Sequence, residues 1–419
     1  MMFRAIGTPT ERGRAAVRGL DLAARKAARR AIGTAVDIGA PPGWFGYRHV
    51  VAEDPAAYAR RRQAAGGAVE TIHDTARASN PLPVTVAERN RLPDTRHWWG
   101  YSMRDVPSRT SGPTLIVTLP DARIVSYRNP RGEFYPAILG AGRRALDTRE
   151  VKFRNGHAEV LRQAIADRTE PVRLRRATWI LERVCDNHSH WLTAHLPKLQ
   201  LLRETGRLEG VLLPQDLTPA QDASIRLLGI DPDPLPRHDP SRPLDVDELT
   251  LLVTDRFRPE LLRPVRDAIA PADASQPFRR IFITRARARF RRLRNEAEIG
   301  ELLDRYGFET VALEDLGFRD QVALMRQARV VLAPHGAGLT NVMFCREGTH
   351  VAEIASPDFP NPNFYALSAA MGHRYHLVPA RSRGSGPPLE RDLHVDPATL
   401  KDTLEGIEAA LAREARAEG

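Results

Sequence analysis

From residue 172 onward, short apolar runs alternate with stretches in which apolar residues recur at three- and four-residue spacing. Thr178 to Leu181, Gly210 to Leu213 and Leu249 to Thr254 read as strands. His190 to Leu202, interrupted or restarted at Pro197, and Ala220 to Leu228 read as helices. A second series begins near Phe278, with strands at Ile281 to Ile283, Thr310 to Leu313, Val330 to Ala333, Val351 to Ile354 and Tyr375 to Val378. Its helices are expected after Asn295, which can cap one with Glu298 completing a capping box, over Phe318 to Ala328, after a glycine-rich turn through Phe344, and around Tyr365 to Met371. Strand and helix in alternation imply right-handed βαβ units on parallel sheets. The fold class is therefore α/β, with two Rossmann-like halves in tandem.

The connection over residues 231 to 243, with Pro232, Pro234, Pro236, Pro240 and Pro243, is expected to be stiff and exposed, and the C-terminal helix, Pro397 to Arg413, to pack back across the first half. Upstream, Thr114 to Leu119 and Ala122 to Tyr127 suggest two short strands turned at Pro120-Asp121. The aromatics Trp98, Trp99 and Tyr101 fit either sugar stacking or a small core patch. Residues 1 to 38 form a basic, weakly amphipathic pattern in which Leu20, Leu22, Ala27 and Ile32 stand among Arg18, Arg25, Lys26, Arg29 and Arg30. A solvated surface helix and contact with anionic lipid both fit it. Four segments follow: an N-terminal extension over 1–112, Rossmann-like domains over 113–255 and 256–385, and a tail with a helix over 386–419.

Composition narrows the class of partner. In 419 residues there are 62 Lys and Arg against 52 Asp and Glu, a net charge of +10, and two cysteines. Cys185 and Cys345 cannot staple a chain of this size, so a reduced, cytoplasmic setting is expected. No window reaches the roughly 20 apolar residues of a membrane span, and the N-terminus lacks the apolar core of a secretion signal. A place at the inner face of a membrane stays open. The positive excess points to nucleic acid, an anionic surface or a phosphate-bearing small molecule.

Position separates these partners. Val330 to Ala333 runs into Pro334-His335-Gly336-Ala337-Gly338-Leu339-Thr340-Asn341. An apolar strand, two glycines and a helix start would place free amides and a positive dipole end at the sheet's carboxyl edge, where phosphate binds. His335, Thr340 and Asn341 add polar groups. Upstream, Arg279, Arg280, Arg285, Arg287, Arg289, Arg291, Arg292 and Arg294 fall within sixteen residues. Arginine presents planar, bidentate charge to phosphate, and Arg285 would emerge at the same edge. A solvated basic face accounts for most of the eight; a nucleic-acid strip would need more interleaved aromatics than Phe290. In Cys185 to His195, three histidines raise the idea of a metal, but His188 and His195 are too far apart for a compact pair. His190 suits a general base at a strand end or helix start, with Asp186 beside it; a structural imidazole is the alternative. Glu353 could accept from ribose hydroxyls.

In this order, Asn187 to Leu199, Ile281 to Glu296, Tyr306-Gly307-Phe308, Gln321, Ala328, Pro334 to Asn341, Phe344, Gly348 and Val351 to Ile354 resemble glycosyltransferase family 61, which includes bacterial capsular-polysaccharide biosynthesis proteins and plant xylosyltransferases. The resemblance implies a GT-B type architecture, two Rossmann-like domains facing a cleft, and inverting, metal-independent transfer from a nucleotide sugar, with UDP-sugars favoured, to a glycan or polysaccharide hydroxyl. It places Arg285 and the PHGAG turn near the diphosphate, Glu353 near the ribose or base, and Arg292 and Asn295 on further motif positions. His190 is the expected base or its orienter, although Ala194 stands where many members carry an acid, which leaves Asp186 as another candidate. No nucleic-acid partner is expected on this reading. The competing functions are a basic Rossmann-containing nucleic-acid binder without transferase activity and a metal-dependent hydrolase.

Overall fold

The computed structural model describes residues 53–94, 100–128, 134–141, 145–147, 170–271 and 275–418. The basic stretch 1–38 and the tryptophans Trp98 and Trp99 lie outside them. By packing, the chain forms two compact units, one of Met1–Ala68, Leu119–Arg175 and Pro240–Leu249, the other of Val69–Thr118, Arg176–Asp239 and Thr250–Gly419.

In the first unit, helix α1 (Pro55–Arg61) starts on Asp54, whose side chain accepts from the Ala57 amide at 2.9 Å. Strand β1 (Thr114–Arg128) enters this unit at Leu119 and pairs antiparallel through Arg123–Arg128 with β2 (Phe134–Leu139), which pairs antiparallel with β3 (Ala145–Leu146). The turn expected at Pro120-Asp121 is absent, because β1 runs straight through. Asp121 adopts a left-handed φ of 53°, and its carboxylate is held by Arg62 at 2.8 Å while the Tyr58 hydroxyl donates to the Pro120 carbonyl. Anchors on both sides let one strand absorb the kink.

β4 (Val172–Trp179), which belongs to the second unit from Arg176 on, leads into a helical stretch of three parts: a turn at His188–His190, a π-turn at Trp191–His195 and α2 (Leu196–Glu204). Pro197 has no N–H to return to the Thr193 carbonyl, so the helix widens just before it rather than breaking at it. Next come β5 (Val211–Pro214), α3 (Pro219–Leu227), β6 (Arg237–His238), β7 (Leu244–Val253), which belongs to the second unit only from Thr250 on, and α4 (Pro259–Ile269). β4, β5 and β6 run parallel. The proline-rich connection thus contributes a short strand to this sheet.

The second βα series contains β8 (Arg279–Ile283), α5 (Gly300–Arg305), β9 (Glu309–Val311), α6 (Phe318–Arg326), β10 (Ala328–Pro334), β11 (His350–Ala355), α7 (Asn363–Met371), β12 (Arg374–Arg383), β13 (Asp392–Val395) and α8 (Pro397–Glu418). Their sheet has the order β9-β8-β10-β11-β12-β13, parallel except for the last pair. This is the 2-1-3-4-5 winding of flavodoxin-like sheets with one antiparallel edge strand added. Direction of travel reverses between β8 and β10, which opens a crevice at their carboxyl ends.

Two local expectations change. Asn295 does not cap α5; its side-chain amide donates to the Val395 carbonyl at 2.7 Å and its oxygen accepts from the Val395 amide at 3.2 Å, so it fastens the chain to β13. α8 covers its own sheet rather than the first half: Leu400, Leu404, Ile407 and Leu411 recur on one face and pack with Phe282, Val330, Leu332, Ala352 and Val378 in a single core. Leu404→Ala would leave a cavity in that core, and a loss of about 2–5 kcal/mol is expected, read as a lower denaturant midpoint with the slope unchanged.

Candidate functional site

At the switch point, β8 delivers Thr284 and Arg285, and β10 delivers Pro334 and His335. Thr284 continues the strand's bonding through its amide to the Val311 carbonyl, and its hydroxyl donates to Glu296. The chain then loops back, and Arg285 donates to two carbonyls of that loop, Phe290 at 2.9 Å and Arg291 at 3.3 Å. Arg291, itself left-handed with φ 56°, donates to the His335 carbonyl at 3.1 Å and to the Leu389 carbonyl at 2.6 Å. Neutral acceptors thus hold two guanidiniums in place without cancelling their charge. Burial, then the neighbouring Arg291 charge, pulls Arg285 down to about 10, and burial lowers Arg291. Both stay cationic at neutral pH.

The other arginines divide cleanly. Arg279 pairs with Glu309, Arg280 with Glu408, Arg287 with Asp315, and Arg292 and Arg294 both with Asp392. Of the eight, only Arg285, Arg289 and Arg291 make no ion pair among the described residues. Five neutralised cations leave little of a continuous strip for a nucleic-acid backbone.

Gly336 faces the Arg285 guanidinium. A Cβ there would stand 2.0 Å from Nη1, so the absence of a side chain is what lets the cation lie on the turn. The backbone itself is extended, with φ 178°. The helix expected next is a 3₁₀ helix, Ala337–Phe344, whose first amides have no helical carbonyl to bond. Around these groups opens a cavity of about 230 Å³, lined by Thr284, Arg285, Glu314, Gln321, Gly336 to Leu339 and Asn341 from the second series and by His188 and Ala220 from the first.

The structure brings Arg285, Gly336, Ala337, Gly338 and Asn341 together at this cleft. Thr340 is buried beside it, its hydroxyl without a partner among the described residues. His335 and Glu353 stand behind it. Glu353 is fully buried, and its oxygens are taken by His335 Nδ1 and the Tyr375 hydroxyl, while the His335 ring sits against Phe359 and Phe364. Glu353 therefore holds His335 and does not line the cleft. Arg292, through Asp392, and Asn295, through Val395, tie the arginine loop to β13 and do not line the cleft.

The histidine segment separates as well. His190, the expected base, is not among the cleft-lining side chains; its Nε2 lies 3.4 Å from Arg256, its Nδ1 is buried without a partner, and burial with the Arg256 charge lowers it to about 2. Asp186 is exposed on the turn before it, near Cys185. His195 accepts from the Glu182 amide and bonds the His190 carbonyl. His188, weighed from sequence only as a metal ligand, is the one that reaches the cleft, with Nε2 3.2 Å from Asn341 Oδ1. No group of three or more His, Cys, Asp or Glu that could hold a metal forms among the described residues. Sequence reasoning also passed over Tyr375, an aromatic inside an apolar strand, and the separate role of Arg291 within a uniform basic run.

The class the fold defines is an α/β protein with a flavodoxin-like sheet, carrying at its switch point a cationic turn whose Arg285 makes no ion pair among the described residues. Residues 189–352 match the family model Glycosyltransferase 61, and the resemblance carried by the motifs is thereby shown over the segment that holds them. The chain is 34% identical over 66 residues to a beta-1,2-xylosyltransferase of Arabidopsis thaliana, covering 16% of this chain and 12% of that protein. It is 31% identical over 103 residues to an EGF domain-specific O-linked N-acetylglucosamine transferase of Drosophila melanogaster, covering 24% of this chain and 19% of that one. The chain thus spans less than a fifth of the length of either relative.

Gly336→Ala should push the Arg285 guanidinium off the turn. Roughly tenfold weaker binding of pyrophosphate, about 1.4 kcal/mol, is expected by titration calorimetry. pH acts through the buried histidines. Burial lowers His195 to about 4, whereas an unfolded histidine protonates near 6.5. The unfolded chain therefore takes up the proton first, and this contribution to stability is complete above about pH 6.5 and lost as pH falls toward 4. The denaturant midpoint should decline across that window, with a shallower decline in His195→Gln.

Proposed function

We propose that the protein is an inverting, nucleotide-sugar-dependent glycosyltransferase of GT-B type, in which the two βα series face each other across the cleft. It would transfer a sugar from a UDP-sugar to a hydroxyl of a glycan or polysaccharide. The observation that carries this reading is Arg285, cationic, held by carbonyls and seated on Gly336 at the switch point, with Arg291 fastened behind it to the His335 carbonyl. A departing nucleoside diphosphate gathers negative charge as the glycosidic bond breaks, and cations and amides already fixed in place stabilise it without reorganising. The free amides at the start of the 3₁₀ helix add donors on the same side. Family 61 membership of the matched segment and the transferase names of both relatives support the same chemistry.

A thermal-shift screen with UDP-, GDP-, CMP- and dTDP-sugars tests the proposal, because a ligand at a hundred times its Kd stabilises the fold by about 2.7 kcal/mol. One nucleotide class, with UDP expected, should raise the melting temperature. Arg285→Ala should weaken the response to free UDP and to its sugars by the same factor, near tenfold or more. No response to any nucleotide sugar, or an unchanged response in the variant, would remove the donor site from this turn.

A further inference from the structure

The hydrogen bonds around His188 set its protonation by a chain that starts at the backbone. Gln321 Nε2 donates to the Leu313 carbonyl at 2.9 Å and to the Leu316 carbonyl at 3.1 Å. Carbonyls only accept, so the amide of Gln321 has one permitted orientation, and its oxygen faces Asn341. Asn341 Nδ2 then donates to Gln321 Oε1 at 3.0 Å and to the Gly338 carbonyl at 3.1 Å, which fixes the second amide and turns its oxygen to His188. An oxygen there requires a hydrogen on His188 Nε2. In the neutral ring the lone pair is left on Nδ1, which makes no hydrogen bond among the described residues. Two amides thus act as a relay that prepares an acceptor nitrogen on a side chain lining the cleft.

We propose that His188 is the general base of the transfer, its Nδ1 taking the proton of the attacking hydroxyl. The inference rests on the glycosyltransferase reading and relocates its base from His190 to a residue two positions earlier on the same turn. In the step, the acceptor oxygen forms its bond to the anomeric carbon as its proton passes to His188 Nδ1. The bond from that carbon to the diphosphate oxygen breaks, and its electron pair leaves on the diphosphate beside Arg285. The imidazolium returns its proton to solvent when product departs. Asn341 is the positioning residue: its oxygen holds Nε2–H and steadies the charge that develops on the ring.

The surroundings keep the ring neutral until it is needed. Phe318 meets it edge-on at 6.3 Å, Asn341 and Gln321 carry no charge, and Ala220 adds none. The charged groups on the same cleft are Arg285 and Glu314, of opposite sign. Burial lowers the His188 pKa, with only the Asn341 bond opposing it. The base is therefore unprotonated at neutral pH, and its rate should fall only on the acid side of an ordinary histidine.

The probe reaction is release of UDP from UDP-xylose and UDP-N-acetylglucosamine with water as acceptor, which needs the same base. His188→Ala is expected to lower the release rate at least about a hundredfold while the Kd for UDP changes less than threefold. Added imidazole should restore part of the rate, and the acid limb of the wild-type pH profile should vanish. Nitrogen-15 spectra of histidine-labelled wild type should show His188 as the Nε2–H tautomer at neutral pH, independently of turnover. An Nδ1–H tautomer, or a His188→Ala rate within threefold of wild type, overturns the assignment while the donor site stands. A wild type that binds no UDP overturns the donor reading and this one with it.

Discussion

Arg285 lies against Gly336 because nothing projects from that glycine, and it stays there because two carbonyls of its own loop accept its donors. Around this contact the rest of the cleft is arranged. β8 and β10 must be neighbours for the cation to meet the turn, and the loop from 285 to 292 must fold back so that its carbonyls reach the guanidinium. Arg291 must take a left-handed conformation to close that loop onto the His335 carbonyl. Each condition costs conformational freedom, and each is met by fastening elsewhere: Arg292 and Arg294 on Asp392, and Asn295 on Val395. Residues that never see the cleft therefore decide whether the cation does.

Charge is sorted by the same arrangement. A basic run looks uniform along the chain, yet in space most of its members meet carboxylates contributed by β9, α8 and the segments near 315 and 392. The uncompensated remainder is concentrated where two strands diverge. A carboxylate partner for Arg285 would have held it more strongly and cancelled its charge. Carbonyls hold position and leave the charge available.

The histidines follow a parallel logic. His188, His190 and His195 sit within eight residues yet meet three environments: the cleft, an arginine, and the core. His335 is set by the buried Glu353, itself braced by Tyr375, so its imidazole is a fixed part of the turn's scaffold. Proton placement at the cleft is thus decided by amides and carboxylates behind it.

Much of this was legible in the linear chain. The alternation of apolar runs and helical spacing identified the five parallel strands of the second βα series but not the antiparallel edge strand β13, since burial on both faces of a parallel sheet leaves a pattern that composition alone cannot mimic. The PHGAG turn and Arg285 were legible for a similar local reason: a strand, a glycine and a helix start specify a carboxyl edge. What the chain could not show depends on partners distant in sequence. Asn295 bonds a residue a hundred positions away, α8 chooses its sheet by the fit of four apolar side chains, and Pro120-Asp121 stays in a strand because Tyr58 and Arg62 brace it. The choice between His188 and His190 was of this kind as well. Two residues apart on one turn, they are alike to any local rule, and only the amide of Asn341 facing one and the guanidinium of Arg256 facing the other set them apart.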